Sequence, residues 1–499
     1  MLNKVIFENQ ITLYWEKDWE NENVQYRIYC NTNIIDETKK THYTLKNLIA
    51  ETEYEIKVEK ICGTSTEILF LEKISTKKAK KRLDVSQAPY NAVGDGQTLN
   101  TLALQRAIDD CKDDECVYFP SGIYLSGALK LHSNMEVYLE NGAVLQGSSR
   151  AEDYLPKIKS RFEGITMECY SGLLNIGDLD ENNYGCVCEN IILRGEGTIY
   201  GGGKTLMDNV IAVEKERLKE YLETHEAEVK ACDNPDVIPA RARGRLINIS
   251  NCRNVIICNI KLGFGAGWNV HMVYSKDILT FGCTISSKGI WNGDGWNPDS
   301  SENCVIFDTA FDTHDDAIAI KSGKNPEGNI INRPTKKIRV FDCYGTRGLA
   351  IGSELSGGIE DVAVWDCSFI TGSGFRLKTT QERGGYVRNV KVKDCAFGLV
   401  EISGRYSCNG DGESSGMLTE IDNISFKNVE SFGRSTAYFT FAPLDVPCLC
   451  VHGFEDKQYY FNNLSFKNML FHTQGKEEND KIKVANVNNL IMENISVEY

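Results

Sequence analysis

Two acidic motifs hold the residues of this chain best suited to chemistry. The first is Trp291-Asn-Gly-Asp-Gly-Trp-Asn-Pro-Asp-Ser300 and the second is Asp312-Thr-His-Asp-Asp-Ala-Ile-Ala-Ile-Lys321. Asp294 and Asp315 stand 21 residues apart, close to one period of the repeat described below, so the motifs should lie side by side. In an enclosed site the adjacent Asp315 and Asp316 cannot both ionise freely, because like charges push one pKa upward. A protonated carboxyl beside ionised ones is the arrangement that glycoside hydrolysis needs. Asp-Asp pairs are also common in turns, so the pair takes its meaning from its surroundings. Those include Gly345-Thr-Arg-Gly-Leu-Ala-Ile-Gly-Ser-Glu354 and then Ser373-Gly-Phe-Arg-Leu-Lys378. Arg376 and Lys378, two apart on a strand, point to the same face. A guanidinium fork beside an ammonium is a natural grip for a carboxylate.

The elements that must position these groups repeat along the chain. A small polar residue followed by alternating β-formers recurs at Asn190, Asn254, Asp277, Asn303, Asp361, Asn389, Asn423, Asn463 and Asn489, with Lys337 in the same place. Several intervals fall between 23 and 34 residues, the period of a solenoid whose coils feed stacked parallel sheets. Cys283, Cys343, Cys367 and Cys395 each stand six residues after their repeat's first residue, which predicts an interior cysteine ladder. Ahead of the repeats, Leu102–Cys111 places apolar residues 104, 107, 108 and 111 on one helical face. The stretch from Met207 to Lys230, rich in Glu, Lys, Leu and Val, reads as a helical insertion spanning about 205–232. On a solenoid such an insertion overhangs one face, where it can wall a cleft or merely decorate the surface.

Residues 1–80 have a different texture. Ile11–Trp15, Val24–Tyr29 and Thr52–Val58 alternate as short strands. With Leu48-Ile-Ala-Glu-Thr-Glu-Tyr54 placed as in a tyrosine corner, the segment resembles a fibronectin type III domain. The expected organisation is therefore a small β-sandwich at 1–80, a linker at 81–87 and an all-β right-handed parallel β-helix at 88–499. The basic run Lys77–Arg82 reads as a solvated hinge.

Composition narrows the partners. A formal charge of −15 argues against nucleic acid and anionic membranes, although a local cationic cluster can still hold an acidic sugar. No apolar run is long enough to cross a bilayer. The first residues lack the basic and apolar segments of a secretion signal, so a cytoplasmic location is expected. There the 18 cysteines would stay reduced and serve as small core residues. Cys186-Val-Cys188 and Cys448-Leu-Cys450 do not have the spacing of metal or redox sites, and neither metal nor cofactor is expected.

Asn292-Gly-Asp294, Asp315-Asp316, Gly348-x-x-Ile-Gly-Ser353 and Arg376-Leu-Lys378 resemble, in order and spacing, the four signature segments of polygalacturonases, glycoside hydrolase family 28. Gly94-Asp-Gly-x-x-x-Asn100, Arg243-Gly-Arg-Leu-Ile247 and Gly195-Glu-Gly-Thr-Ile-Tyr-Gly201 extend the resemblance over residues 85 to 499. It implies hydrolysis of α-1,4-linked galacturonate in pectic oligosaccharides, with inversion. By the same resemblance Asp315 would be the general acid, and Asp294 and Asp316 would hold and deprotonate the attacking water. Arg376 and Lys378 would bind a galacturonate carboxylate. Tyr406 and Asn292 would also be substrate-binding positions. The front module and the insertions resemble the exo-acting bacterial branch, which trims oligogalacturonides.

The sequence departs from that pattern at position 347, where Arg347 replaces the usual histidine. A permanent cation there would either lower a neighbouring carboxyl's pKa and reduce activity, or bind a further anionic group of a different substrate. His314 stands where glycine is usual and, as Asp315's neighbour on a strand, should face away from it. Two alternatives stay open: a hydrolase for rhamnogalacturonan or another decorated uronide, and a non-catalytic carbohydrate-binding β-helix. A pectate lyase would need a calcium site and a basic proton acceptor, which these motifs do not match.

Overall fold

The computed structural model describes residues 2–180, 185–407, 413–473 and 481–498. The chain divides into two compact units, Met1–Lys81 and Arg82–Tyr499.

The first unit pairs two antiparallel sheets. One runs in the order Leu2–Ile6, Ile11–Trp15, His42–Leu45, and the other Asn33–Thr38, Gln25–Cys30, Glu53–Cys62, Ser65–Ser75. Strict alternation turns Ile11, Leu13 and Trp15 inward to meet Tyr26, Ile28, Ile56 and Val58. Trp15 and Tyr26 meet edge to face at 4.9 Å. The Tyr54 hydroxyl accepts the Ile49 N–H at 2.9 Å, pinning the chain five residues upstream.

The second unit is a parallel β-helix with one sheet of 20 strands and another of 11. Its first strand corrects the expected linker. Lys81–Asp84 hydrogen-bonds beside Glu115–Phe119, and Val85 is fully buried, so the unit begins at Arg82 rather than 88. The basic run supplies part of this edge, with the Arg82 guanidinium 4.2 Å from the Tyr118 ring centre. Helix Thr101–Asp110 buries Leu104, Ala107 and Ile108, as its periodicity predicts. The insertion is helical as well, formed by Gly203–Arg217, Lys219–Thr224 and Glu226–Lys230.

What recurs on each coil is a backbone requirement. All ten repeat-starting residues, from Asn190 (φ 60°) to Asn489 (φ 53°), are left-handed, a conformation Asn and Asp tolerate best after glycine. Five residues on, a second left-handed residue follows: Asn259, Gly282, Asp308, Asp342, Asp366, Asp394, Asn428, Asn468 and Asn494. The Asn side chains then bond along the stack, Asn254 to Asn190 at 2.7 Å and Asn423 to Asn389 at 2.7 Å. On the opposite face of these strands from the core residues, Phe281, Phe307, Phe341 and Trp365 are buried and stack at 5.1, 4.8 and 4.4 Å. Cys283, Cys343, Cys367 and Cys395 are all buried, and register aligns the last three on consecutive coils. Thr309 takes the rung between Cys283 and Cys343.

Lys337 is the one repeat-starter that is neither Asn nor Asp, at φ 57°. Lys337→Asn is expected to stabilise the protein by about 0.5–1 kcal/mol, because relief of left-handed strain outweighs one exposed ion pair to Glu302. Asn423→Ala should destabilise it by about 1–2 kcal/mol. Thermal denaturation of both variants checks the pair, and equal or reversed signs would refute this account of the repeat.

Candidate active site

The 11-stranded sheet builds the site one strand at a time. Trp296 pairs with Ile318, Ile318 with Leu349, Leu349 with Phe375, and Phe375 with Val400. All five side chains are buried, so the same phase is kept from coil to coil. Two residues before these paired positions stand Asp294, Asp316, Arg347 and Ser373. Three residues after them stand Asp299, Lys321, Gly352, Lys378 and Ser403. Two acids of the first column, Asp294 and Asp316, thus stand near two lysines of the second, Lys321 and Lys378. Gly352, at φ 94°, lies between the two lysines, and a Cβ there would come within 2.3 Å of the Lys378 carbonyl oxygen.

A cavity of about 670 Å³ opens over these columns, within the ordinary range for a small-ligand site. Asp294, Asp315 and Asp316 all line it, together with Lys321, Arg376, Lys378 and Tyr406. Lys378 Nζ donates to Asp316 Oδ2 at 2.9 Å and sits 5.2 Å from the Tyr406 ring centre. Lys321 Nζ lies 3.0 Å from Glu354 and 3.5 Å from Asp294, over the Trp268 ring. Asp315 accepts the Asp316 N–H at one oxygen (2.9 Å) and the Tyr438 hydroxyl at the other (2.9 Å). Burial lifts the Asp294 carboxyl well above the usual carboxylate range, with Lys321 working against it. Burial and then the neighbouring Asp316 charge lift Asp315 too. Asp294 and Asp315 are both held towards the protonated form, beside the ammonium groups of Lys321 and Lys378.

Three residues expected to contact substrate also make bonds within the protein. Arg376 lines the cavity, but its Nε donates to Glu401 on the next strand at 2.6 Å. Asn292 also lines it, yet its side-chain oxygen accepts from Arg243 at 2.7 Å and its backbone N–H donates to the Tyr438 hydroxyl at 3.1 Å. Arg347, expected to reduce activity or to hold an anion, is only 2% exposed and donates to Thr436 and Tyr438 backbone oxygens at 3.3 and 2.9 Å. The hairpin Arg434–Thr436 and Pro443–Asp445 folds over position 347 and takes up the guanidinium. His314 and Asp315 lie in a bend ahead of strand Ile318–Ile320 rather than on a strand, and His314 does not line the cavity. Its Nδ1 accepts the Gly289 N–H at 3.2 Å, and burial lowers its pKa.

Sequence reasoning gave no role to Tyr438, to Lys321 with Glu354, or to the frame behind them. Lys321 and Glu354 end two of the motifs above, and Lys321 keeps the phase of Lys378, a signal that strand phase alone could have supplied. Arg161 comes from an inserted hairpin, Ile158–Phe162 and Ile165–Cys169. It donates to Asp299 at 2.9 Å and to the Tyr274 hydroxyl. Burial would raise the Asp299 pKa, but Arg161 and His271 outweigh it and hold it at about 2.

The fold and site are those of a parallel β-helix with carboxylates and lysines gathered in one groove. The chain belongs to the family described as Glycosyl hydrolases family 28, whose pattern its residues 185–452 match. Residues 85–198 match a second family, described as Rhamnogalacturonase A/epimerase, pectate lyase-like. A probable polygalacturonase of Vitis vinifera is 31% identical over 347 residues, 65% of this chain and 64% of that protein's length. An exo-poly-alpha-D-galacturonosidase of Dickeya chrysanthemi is 25% identical over 482 residues, covering 90% of this chain and 77% of its own. Among solved structures, the family 28 exopolygalacturonase of Yersinia enterocolitica superposes with a TM-score of 0.80 at 20% identity, over 100% of this chain and 96% of that one. The exopolygalacturonase of Thermotoga maritima gives 0.66 at 27% identity, over 84% and 92%.

Proposed function

We propose that this protein hydrolyses α-1,4-galacturonosyl bonds of pectic oligogalacturonides from a chain end, with inversion. The observation that carries the reading is the convergence of Asp294, Asp315 and Asp316 with Lys378 in one groove. Asp315 is the general acid that protonates the leaving oxygen. Asp294 and Asp316 hold the attacking water, and the pair takes its proton. Lys378, Arg376 and Tyr406 face the same space and provide cationic and aromatic contacts for an acidic sugar.

Action at a chain end is supported by what walls the groove. Glu163 of the inserted hairpin and Asp233 and Asn234 after the inserted helices line it. Arg241 donates to Glu163 at 2.8 Å and the Lys324 N–H donates to the Gly164 carbonyl at 3.0 Å, fastening the hairpin tip across neighbouring coils. A decorated uronide loses its main support, since Arg347 is engaged by the hairpin. The first unit is proposed to be a fibronectin type III spacer, supported by its three-plus-four strand order and the Tyr54 hydrogen bond. A cytoplasmic site of action is supported by the cysteines, which are free thiols among the described residues. Cell fractionation checks it, and recovery outside the cell would contradict it.

Incubation with oligogalacturonides of defined length tests the activity. New reducing ends should appear from the first minutes as a short product, without intermediate lengths and without the ultraviolet absorbance of an unsaturated uronide. Early intermediate lengths would refute end-on cleavage, unsaturated product would refute hydrolysis, and inactivity on every uronide would refute both.

A further inference from the structure

Position 347 is where the sequence departs from its family's pattern, and the structure connects that arginine to the carboxyl cluster through one side chain. Tyr438 lies on the irregular crossing of the hairpin. Its hydroxyl accepts the Asn292 N–H at 3.1 Å and lies 2.9 Å from Asp315 Oδ2. With an acceptor position filled by a backbone N–H, the hydroxyl directs its proton at Asp315. The backbone that carries Tyr438 is held by Arg347, whose two terminal nitrogens reach Thr436 Oγ1 at 3.0 Å, Thr436 O at 3.3 Å and Tyr438 O at 2.9 Å. The guanidinium also lies 4.4 Å from the Phe441 ring centre, and the His314 ring meets Tyr438 and Phe441 edge-on at 5.0 Å each. A planar fork can bridge two carbonyls and a hydroxyl in this way, and an ammonium cannot.

We infer that Tyr438 is a positioning residue that fixes Asp315 by donating a hydrogen bond to it, and that Arg347 acts through Tyr438 by clamping its backbone. The inference rests on the proposed role of Asp315 as general acid. As the glycosidic C–O bond breaks, the Asp315 proton passes to the leaving oxygen and the attacking water's proton passes to the Asp294 and Asp316 pair. Asp315 is left as an anion, and the Tyr438 O–H, which keeps its own proton, stabilises that anion. Other titratable groups also act on Asp315: Asp316 beside it, Asp294 from the preceding coil, Lys321, Arg347 and Lys378, and the His314 imidazole from outside the cavity. The tyrosine's share must therefore be measured by difference.

The measurement is kcat/KM against pH on an unactivated oligogalacturonide, for the wild type, Tyr438→Phe and Arg347→Lys. Removing a donor to the anionic form raises the Asp315 pKa, so activity that needs protonated Asp315 persists to higher pH. Tyr438→Phe should move the alkaline limb up by about one unit while lowering kcat about tenfold. Arg347→Lys keeps the charge but loses the fork, and should move the limb in the same direction. On 4-nitrophenyl galacturonide, whose leaving group needs little protonation, both deficits should shrink. A slower Tyr438→Phe enzyme with an unmoved limb would overturn the inference while leaving the hydrolase reading intact, and so would an Arg347→Lys limb identical to wild type. Full activity of an Asp315→Asn variant would instead remove the proposed acid, and this inference with it.

Discussion

Asp315→Asn should lose turnover on oligogalacturonides by a factor of about 10² to 10⁴, the usual contribution of a positioned general acid. The amide keeps the shape of the carboxyl and can still accept from the Tyr438 hydroxyl, so the local frame has no reason to move. What it lacks is a proton acidic enough for the leaving oxygen. KM should change little, because Lys378, Arg376 and Tyr406 remain in the groove. The deficit should be much smaller on an aryl galacturonide. Steady-state kinetics on both substrates, with a melting curve to show an unchanged fold, decides the matter. Retention of most activity on the unactivated substrate would mean that the proton comes from elsewhere.

Arg161→Met is expected to have the largest effect on stability, about 3–5 kcal/mol, because it strands a fully buried carboxylate. Asp299 has no exposed surface, and Arg161 reaches it from a hairpin more than 130 residues earlier. His271, 3.4 Å from the other oxygen, has its own pKa lowered by burial to about 4 and is neutral near pH 7, so it cannot replace the cation. The Gly323 N–H, at 3.0 Å, is too little to hold the charge alone. The same linkage has a pH signature. The Asp299 pKa is depressed in the folded state, so its contribution is fully present above about pH 4 and disappears as pH falls towards 2. Chemical denaturation of wild type and variant across pH 2–7 should show the difference closing at the acid end. A constant difference would indicate lost packing rather than a lost ion pair. Since the hairpin tip walls the groove, the variant should also release a broader range of product lengths.

The parts of this molecule legible in sequence are those governed by repetition. A residue that must be left-handed on every coil leaves Asn or Asp at a fixed phase, which exposed both the period and the cysteine ladder. The same phase brought Asp294, Asp315, Asp316 and Lys378 together, since neighbouring coils stack in register and local spacing becomes position in space. The edge of the solenoid was placed too late because Lys81–Asp84 looks like a charged hinge, and its pairing to Glu115–Phe119 depends on a strand more than 30 residues away. Tyr438 was invisible for a related reason. It is 123 residues from Asp315, on a hairpin crossing with no periodicity to transmit a position. Arg347 stood out as an anomaly, but its partners lie on that same hairpin. The engagement of Arg376 by Glu401 needed only the next coil's register, and strand phase could have revealed it.

The paired left-handed residues, five apart on successive coils, have a consequence for how this architecture can change over time. They set the gauge of each coil over a short span, and the inserted hairpin, the inserted helices and the Tyr438 crossing all branch off outside that span. Lengthening or trimming a branch leaves the gauge untouched, whereas one residue gained between a pair would break that coil's pairing with both neighbours. Descendants of such a chain are free to remodel the walls of the groove while the track beneath keeps its spacing.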